Sequence, residues 1–127
     1  MSVRIVHTEN APAAIGPYSQ AVTAGGAVYL SGQIGLDPSS GQLVAGGVEA
    51  EAKRVMENLR AVLAAAGVGF EQVVKTTIFL ADLQDFGAVN EVYARYFPDH
   101  PPARATVQVA GLPRGSMVEI DAIAVAG

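Results

Sequence analysis

The sequence predicts an α+β fold: a mixed, mostly antiparallel six-stranded sheet with two helices on one face. Three observations predict it. Apolar residues recur every three or four positions in two stretches, about six short runs are rich in apolar and β-branched residues, and turn chemistry separates them. At 127 residues the chain can bury one core, so 1–127 reads as a single domain.

Residues 4–7 offer an edge strand ahead of the main pattern. Residues 18–23 and 27–34 flank Ala24-Gly25-Gly26, whose glycines can take the positive φ of a tight hairpin turn. Asp37-Pro38-Ser39-Ser40-Gly41 is a turn. After it, Val48, Ala52, Val55, Met56, Leu59, Val62, Leu63 and Ala66 make one apolar helix face, so a helix over 48–66 is expected, with Gly67 as its C-terminal cap. Residues 73–80 read as a buried strand with Val74, Thr76, Ile78 and Leu80 on one face. Asp85 is placed to cap a second helix, Phe86, Val89, Val92, Tyr93, Tyr96 and Phe97 supply its period, and Pro98 ends it. Two final strands, 104–109 and 117–125, are joined through Gly111-Leu112-Pro113-Arg114-Gly115. The order is ββαβαββ, with or without the edge strand.

Charged residues are 16% of the chain and apolar residues 50%, with a mean hydropathy of +0.32, which excludes intrinsic disorder. So few charges cannot cover the surface of a small domain, and the helix-free face of the sheet needs cover. A cyclic oligomer of identical chains supplies it. Eight Lys and Arg against twelve Asp and Glu give a net charge of −4, without the basic stripe that phosphate backbones require, so nucleic acid is not expected as a partner. Cysteine is absent, which removes disulfides and thiolate catalysis, and His7 and His100 have no metal-ligand spacing. The longest uncharged stretch, 10–36, is broken by Pro12, Pro17, Gly25 and Gly26, unlike a membrane span. The first residues lack a signal-peptide pattern, and a cytoplasmic protein is expected.

No GxSxG elbow, GxxxxGK[ST] loop or GxGxxG turn is present. What remains is charge inside strands. Period-two alternation puts Arg104, Thr106 and Gln108 on one face of their strand and Glu119, Asp121 and Ile123 on one face of theirs. Arg104 and Glu119 either line one cleft or serve as an ion pair or exposed edge charges. Ser31-Gly32-Gln33 marks a close backbone approach or a bulge. Tyr18 follows Gly16-Pro17 at a turn, where its phenol can reach a site or pack, and Asn90 is an exposed helix amide or a ligand contact.

Several blocks together resemble the reactive intermediate deaminase family, also called the RidA or YjgF type. They are Asn10-Ala11-Pro12-Ala13-Ala14-Ile15-Gly16-Pro17-Tyr18-Ser19-Gln20, Ser31-Gly32-Gln33-Ile34, Val74-Lys75-Thr76-Thr77 with Leu80-Ala81-Asp82-Leu83, Val89-Asn90-Glu91-Val92-Tyr93, Pro102-Ala103-Arg104, and Glu119-Ile120-Asp121-Ala122-Ile123-Ala124. The resemblance covers nearly the whole chain. It implies a homotrimer of chorismate-mutase-like subunits with three clefts between subunits, and hydrolysis of 2-imino acids such as 2-iminopropanoate and 2-iminobutanoate to 2-oxo acids and ammonia, with no metal or organic cofactor. Such imines arise from enamines released by pyridoxal-phosphate dehydratases.

For that chemistry Arg104 would clamp the substrate carboxylate through two parallel hydrogen bonds, and Glu119 would orient and deprotonate the attacking water. The resemblance further implies that Tyr18 and Asn90 bond the imine nitrogen or the water, and that backbone groups at Ser31 and Gly32 meet the substrate. Thr106 stands among the substrate contacts where many relatives carry cysteine, so a thiol role cannot operate here. Two rival functions are a non-catalytic trimer that binds small carboxylates and, disfavoured by the charge, a ribonuclease or translation inhibitor. Chorismate mutase activity would need more cations than Arg104, and Arg4, Arg54, Arg60, Arg95 and Arg114 have no evident route to its cleft.

Overall fold

The computed structural model describes residues 2–126. Eight main elements follow one another: β1 (Arg4–Val6), β2 (Ala21–Ala24), β3 (Ala27–Gln33), α1 (Gly47–Ala65), β4 (Val73–Leu80), α2 (Phe86–Ala94), β5 (Ala103–Gln108) and β6 (Val118–Val125). The six strands form one sheet in the order β1-β2-β3-β6-β4-β5. Every neighbouring pair is antiparallel except β4 and β5. The α+β expectation and the edge strand are therefore both borne out.

Both helices pack on one face. Ala52, Val55, Met56, Leu59, Val62 and Leu63 of α1 and Val89, Val92 and Tyr93 of α2 are buried in one cluster with Val28 and Leu30 of β3, Ile78 and Leu80 of β4, and alternate residues of β6 from Val118 to Ala124. Burial at every second strand position follows from the pleat, and a fully buried Leu or Ile contributes roughly 1.5–3 kcal/mol. The same alternation places Lys75, Thr77, Phe79, Glu119, Asp121 and Ile123 on the opposite face, with no helix over them. Tyr29 and Val107 also stand exposed. Strand β5 closes the sheet with a free edge.

Local bonding explains where the sequence reading differs. Strand β2 starts at Ala21 rather than Tyr18, because the Tyr18 N–H bonds back to the Gly16 carbonyl at 2.9 Å in a tight turn. Helix α2 ends at Ala94, and Tyr96 and Phe97 continue in a tightened turn with bonds to Tyr93 and Ala94, as the approach to Pro98 demands. Asp85 makes no side-chain cap. Asp82 does so instead, accepting from the Gln84 N–H at 2.9 Å at the head of a 3₁₀ turn, Leu83–Asp85, that leads into α2. A register shift between Val73 and Lys75 leaves Val74 exposed rather than on the buried face with Thr76, Ile78 and Leu80. Gly67 does follow the end of α1, where the Val68 N–H bonds the Leu63 carbonyl and the Gly67 N–H that of Ala64, a Schellman closure.

Candidate active site

Glu119 lies on the uncovered face of β6, between Phe79 of β4 and the irregular stretch of β3. Partners there run Leu30 with Ala122 but Gln33 with Ile120, so one extra residue is accommodated around Ser31 and Gly32. The bulge and the close approach are one feature. A Cβ added to Gly32 would lie 2.9 Å from Glu119 Cδ and 3.0 Å from its Cγ, so the carboxylate rests where only a glycine leaves room. Ser31 Oγ donates to the Ser19 carbonyl at 2.6 Å, tying the bulge to the segment that carries Tyr18.

Glu119, Tyr18, Gly32, Pro12, Ile15 and Arg114 are among the walls of a cleft of about 290 Å³. No donor among the described residues hydrogen-bonds the Glu119 carboxylate. Half-burial raises its pKa above the ordinary glutamate value, and the nearby Asp121 charge raises it further. The Tyr18 phenol is half exposed and accepts weakly from the Ile15 N–H at 3.4 Å, which leaves its proton free for a ligand. Arg114, for which the sequence offers no evident route to the Arg104 cleft, does not line that cleft. It lines the Glu119 cleft instead, because the turn Pro113–Gly115 lies beside the start of β6.

Arg104 occupies a different place. It pairs with Thr76, whose side chain faces the helices, so the guanidinium lies on the helix side of β5. Its Nη1 donates to Asn90 Oδ1 at 2.8 Å, and its carbon sits 5.4 Å from the Phe86 ring centre and 5.1 Å from that of Tyr93. Phe86, Asn90 and Tyr93 are spaced i, i+4, i+7, one face of α2. Tyr93 is fixed by a 2.6 Å hydrogen bond to Thr76 Oγ1, and burial raises its pKa against the opposing effects of Thr76 and Arg104. The Asn90 amide is therefore a brace for the arginine. A cleft of about 440 Å³ opens beside Arg104, Asn90, Tyr93 and Pro102. Two residues along, Thr106 Oγ1 is buried with no hydrogen-bond partner.

Strand β4 thus separates the two charged groups, and they sit on opposite faces of the sheet. Within one chain Arg104 and Glu119 therefore line different clefts. The structure gathers Tyr18, Gly32 and Glu119 in one cleft and Arg104 and Asn90 in another.

Several buried polar groups escape the sequence reading, Gln20 and Glu51 among them. Gln20 accepts from the Thr8 N–H at 2.7 Å and donates to the carbonyls of Thr8 and Pro12 at 3.0 and 2.8 Å, pinning the wall of the Glu119 cleft to the sheet. Glu51 of α1 accepts from the Met117 N–H at 2.8 Å and holds the start of β6. An amide beside a strand and a carboxylate on an otherwise apolar helix face were the available signals.

Fold and clefts together define a class: small α+β chains with an unpaired carboxylate on the open face of the sheet and a braced guanidinium at its edge. The chain belongs to the family described as Endoribonuclease L-PSP, whose profile matches residues 8–126. It is 62% identical to 2-iminobutanoate/2-iminopropanoate deaminase of Mus musculus, over 98% of this chain and 92% of the relative, and 64% identical to Protein DfrA of Myxococcus xanthus, over 98% and 97%. Among solved structures, E. coli TdcF with bound serine superposes with a TM-score of 0.93 at 42% identity, covering 98% of this chain and 99% of that one. RidA from an Antarctic Psychrobacter does so with a TM-score of 0.92 at 47% identity, covering 96% and 98%. The resemblance to reactive intermediate deaminases is borne out.

Proposed function

We infer that this protein hydrolyses 2-imino acids, such as 2-iminopropanoate and 2-iminobutanoate, to 2-oxo acids and ammonia, in the cytoplasm and as a homotrimer. The names of its close relatives and the chemistry of its two clefts support the same reading. One observation carries the mechanism: a half-buried carboxylate without a hydrogen-bond donor, resting against Gly32 at the wall of an open cleft. The fork and the base meet when the free β5 edge of one subunit approaches the open sheet face of the next, a head-to-tail contact that closes after three copies. Exposed Tyr29 and Val107 and the sparse surface charge favour burying that face.

In the joined cleft Arg104 grips the substrate carboxylate. Asn90 occupies one Nη1 bond and the rings of Phe86 and Tyr93 hold the guanidinium plane, so the remaining donors meet the acid in a fixed orientation. The adjacent imine carbon then lies at a defined place before Glu119. Ionised Glu119 takes a proton from a water as the water oxygen bonds that carbon and hands it to the nitrogen, forming a carbinolamine. It then takes the hydroxyl proton as the carbonyl forms and passes it to the departing nitrogen, so that the C–N bond breaks, ammonia leaves and the 2-oxo acid remains. The Tyr18 phenol bonds the imine nitrogen, and the unpartnered Thr106 hydroxyl supplies a further hydrogen bond at the Arg104 side. General base catalysis supplies roughly 10²–10⁴-fold, enough for a reaction that is already easy in water.

The test uses threonine dehydratase to generate the imine and follows 2-oxobutanoate release. Acceleration by the native protein and its loss in Glu119→Gln are expected; no acceleration by the native protein leaves a carboxylate-binding module as the better account, and full acceleration by Glu119→Gln removes Glu119 as the base. The net charge of −4 offers an RNA backbone little attraction, so nuclease action is not proposed.

A further inference from the structure

Arg114 is the one residue other than glycine with positive φ among the described residues, at φ 61° and ψ 19°. A side chain in that left-handed region is strained, and strain of this kind gathers at ligand sites. The neighbouring Gly115 takes the same region freely, so the turn itself does not need an arginine there. The guanidinium makes a single contact, 3.4 Å from Nη1 to the Gly41 carbonyl, and no ion pair among the described residues. It lines the Glu119 cleft, whose remaining walls are largely apolar, including Pro12, Ile15, Ile34 and Leu36. Glu119 is not its partner: among the described residues no ion pair or hydrogen bond joins the two. An underused cation therefore stands at the wall of the same cleft as the base.

We propose that Arg114 receives a second carboxylate, so that the cleft also takes dicarboxylic 2-imino acids, with the acid at the end of the side chain held by Arg114. The inference rests on the proposed imine hydrolysis, in which the acid next to the imine belongs to Arg104. The cleft of about 290 Å³ leaves space beyond a three- or four-carbon imine for that longer side chain. The chemistry is unchanged: water adds to the C=N carbon, ammonia leaves, and the second carboxylate does not react. A charge-assisted hydrogen bond of this kind discriminates by about tenfold or more.

Amino-acid oxidases acting on 2-aminobutyrate and on glutamate supply the two imines, and semicarbazide traps whatever the protein has not yet hydrolysed. The quantity read is the ratio of kcat/KM for the dicarboxylic imine to that for the monocarboxylic one. Arg114→Gly, which suits the left-handed position and so keeps the turn, should lower that ratio about tenfold, and Arg114→Lys should stay within about threefold of the native value. An unchanged ratio in Arg114→Gly, or a lysine variant as poor as the glycine one, overturns the proposal. Calorimetric titration with 2-oxobutanoate and 2-oxoglutarate reads the same preference without turnover. If neither imine is hydrolysed, the proposed activity fails, and the binding ratio still decides the subsite: a tenfold fall in Arg114→Gly upholds it and no fall removes it.

Discussion

Replacing Gly32 by alanine separates chemistry from stability. The added Cβ would stand 2.9 Å from Glu119 Cδ and 3.0 Å from Cγ, closer than carbon atoms pack, so one group must move. Gly32 does not occupy the positive-φ region, hence alanine fits the backbone and recovers the roughly 0.5–1 kcal/mol that glycine costs inside a strand. The atoms it meets belong to the end of a flexible side chain facing a cleft, so the carboxylate swings aside at little cost to folding. Displacing the base by about 1 Å costs on the order of 10²-fold in rate. The expected outcome for Gly32→Ala is therefore kcat about 100-fold lower with Tm within about 4 °C of native, taking a net stability change under about 1 kcal/mol. The dehydratase-coupled release of 2-oxobutanoate and a thermal melt read the two quantities. A native rate would refute the role given to Glu119, and a melt lowered by more than about 10 °C would mean that the contact is structural.

Because the pKa of Glu119 is raised, the rate should fall on acidification through a midpoint above the ordinary glutamate value, as the base protonates; a kcat-pH profile locates it. The same shift has a stability sign: the folded state holds this proton more tightly, so the group's contribution to stability is greatest at low pH and is lost as pH rises through the raised value. Glu119→Gln should accordingly raise Tm at neutral pH while abolishing turnover. Asn90→Ala removes the 2.8 Å brace on Arg104 and should raise KM about tenfold with a smaller effect on kcat, measured by initial rates. Val107→Glu places a charge on the exposed face of β5 and should shift the protein toward monomers in analytical ultracentrifugation, with activity lost in parallel; an active monomer would contradict the shared cleft.

Two helices and six strands were legible in the sequence because each carries its own periodicity. Helix α1 is the clearest case, predicted over 48–66 and found as Gly47–Ala65. The faces of the strands were harder. A single-residue slip at Val73–Lys75 turned Val74 outward, and no local pattern announces such a slip. Arg104 and Glu119 stood out by type, yet whether they meet depends on β4 lying between their strands, a matter of sheet order rather than of spacing. The brace on Arg104 was readable in principle, since Phe86, Asn90 and Tyr93 share a helical face. Gln20 and Glu51 were not, because the carbonyls and the N–H that satisfy them come from segments distant in sequence. Arg114 reaches its cleft through a backbone conformation that no side-chain pattern encodes.

With a whole strand standing between grip and base, no rotamer change can unite them in a lone subunit. On the proposed assembly, dilution alone extinguishes turnover while every subunit stays folded. A newly made chain is inert until it meets its fellows, and a mixture of chains crippled at Arg104 with others crippled at Glu119 regains intact sites wherever the two defects fall in different clefts.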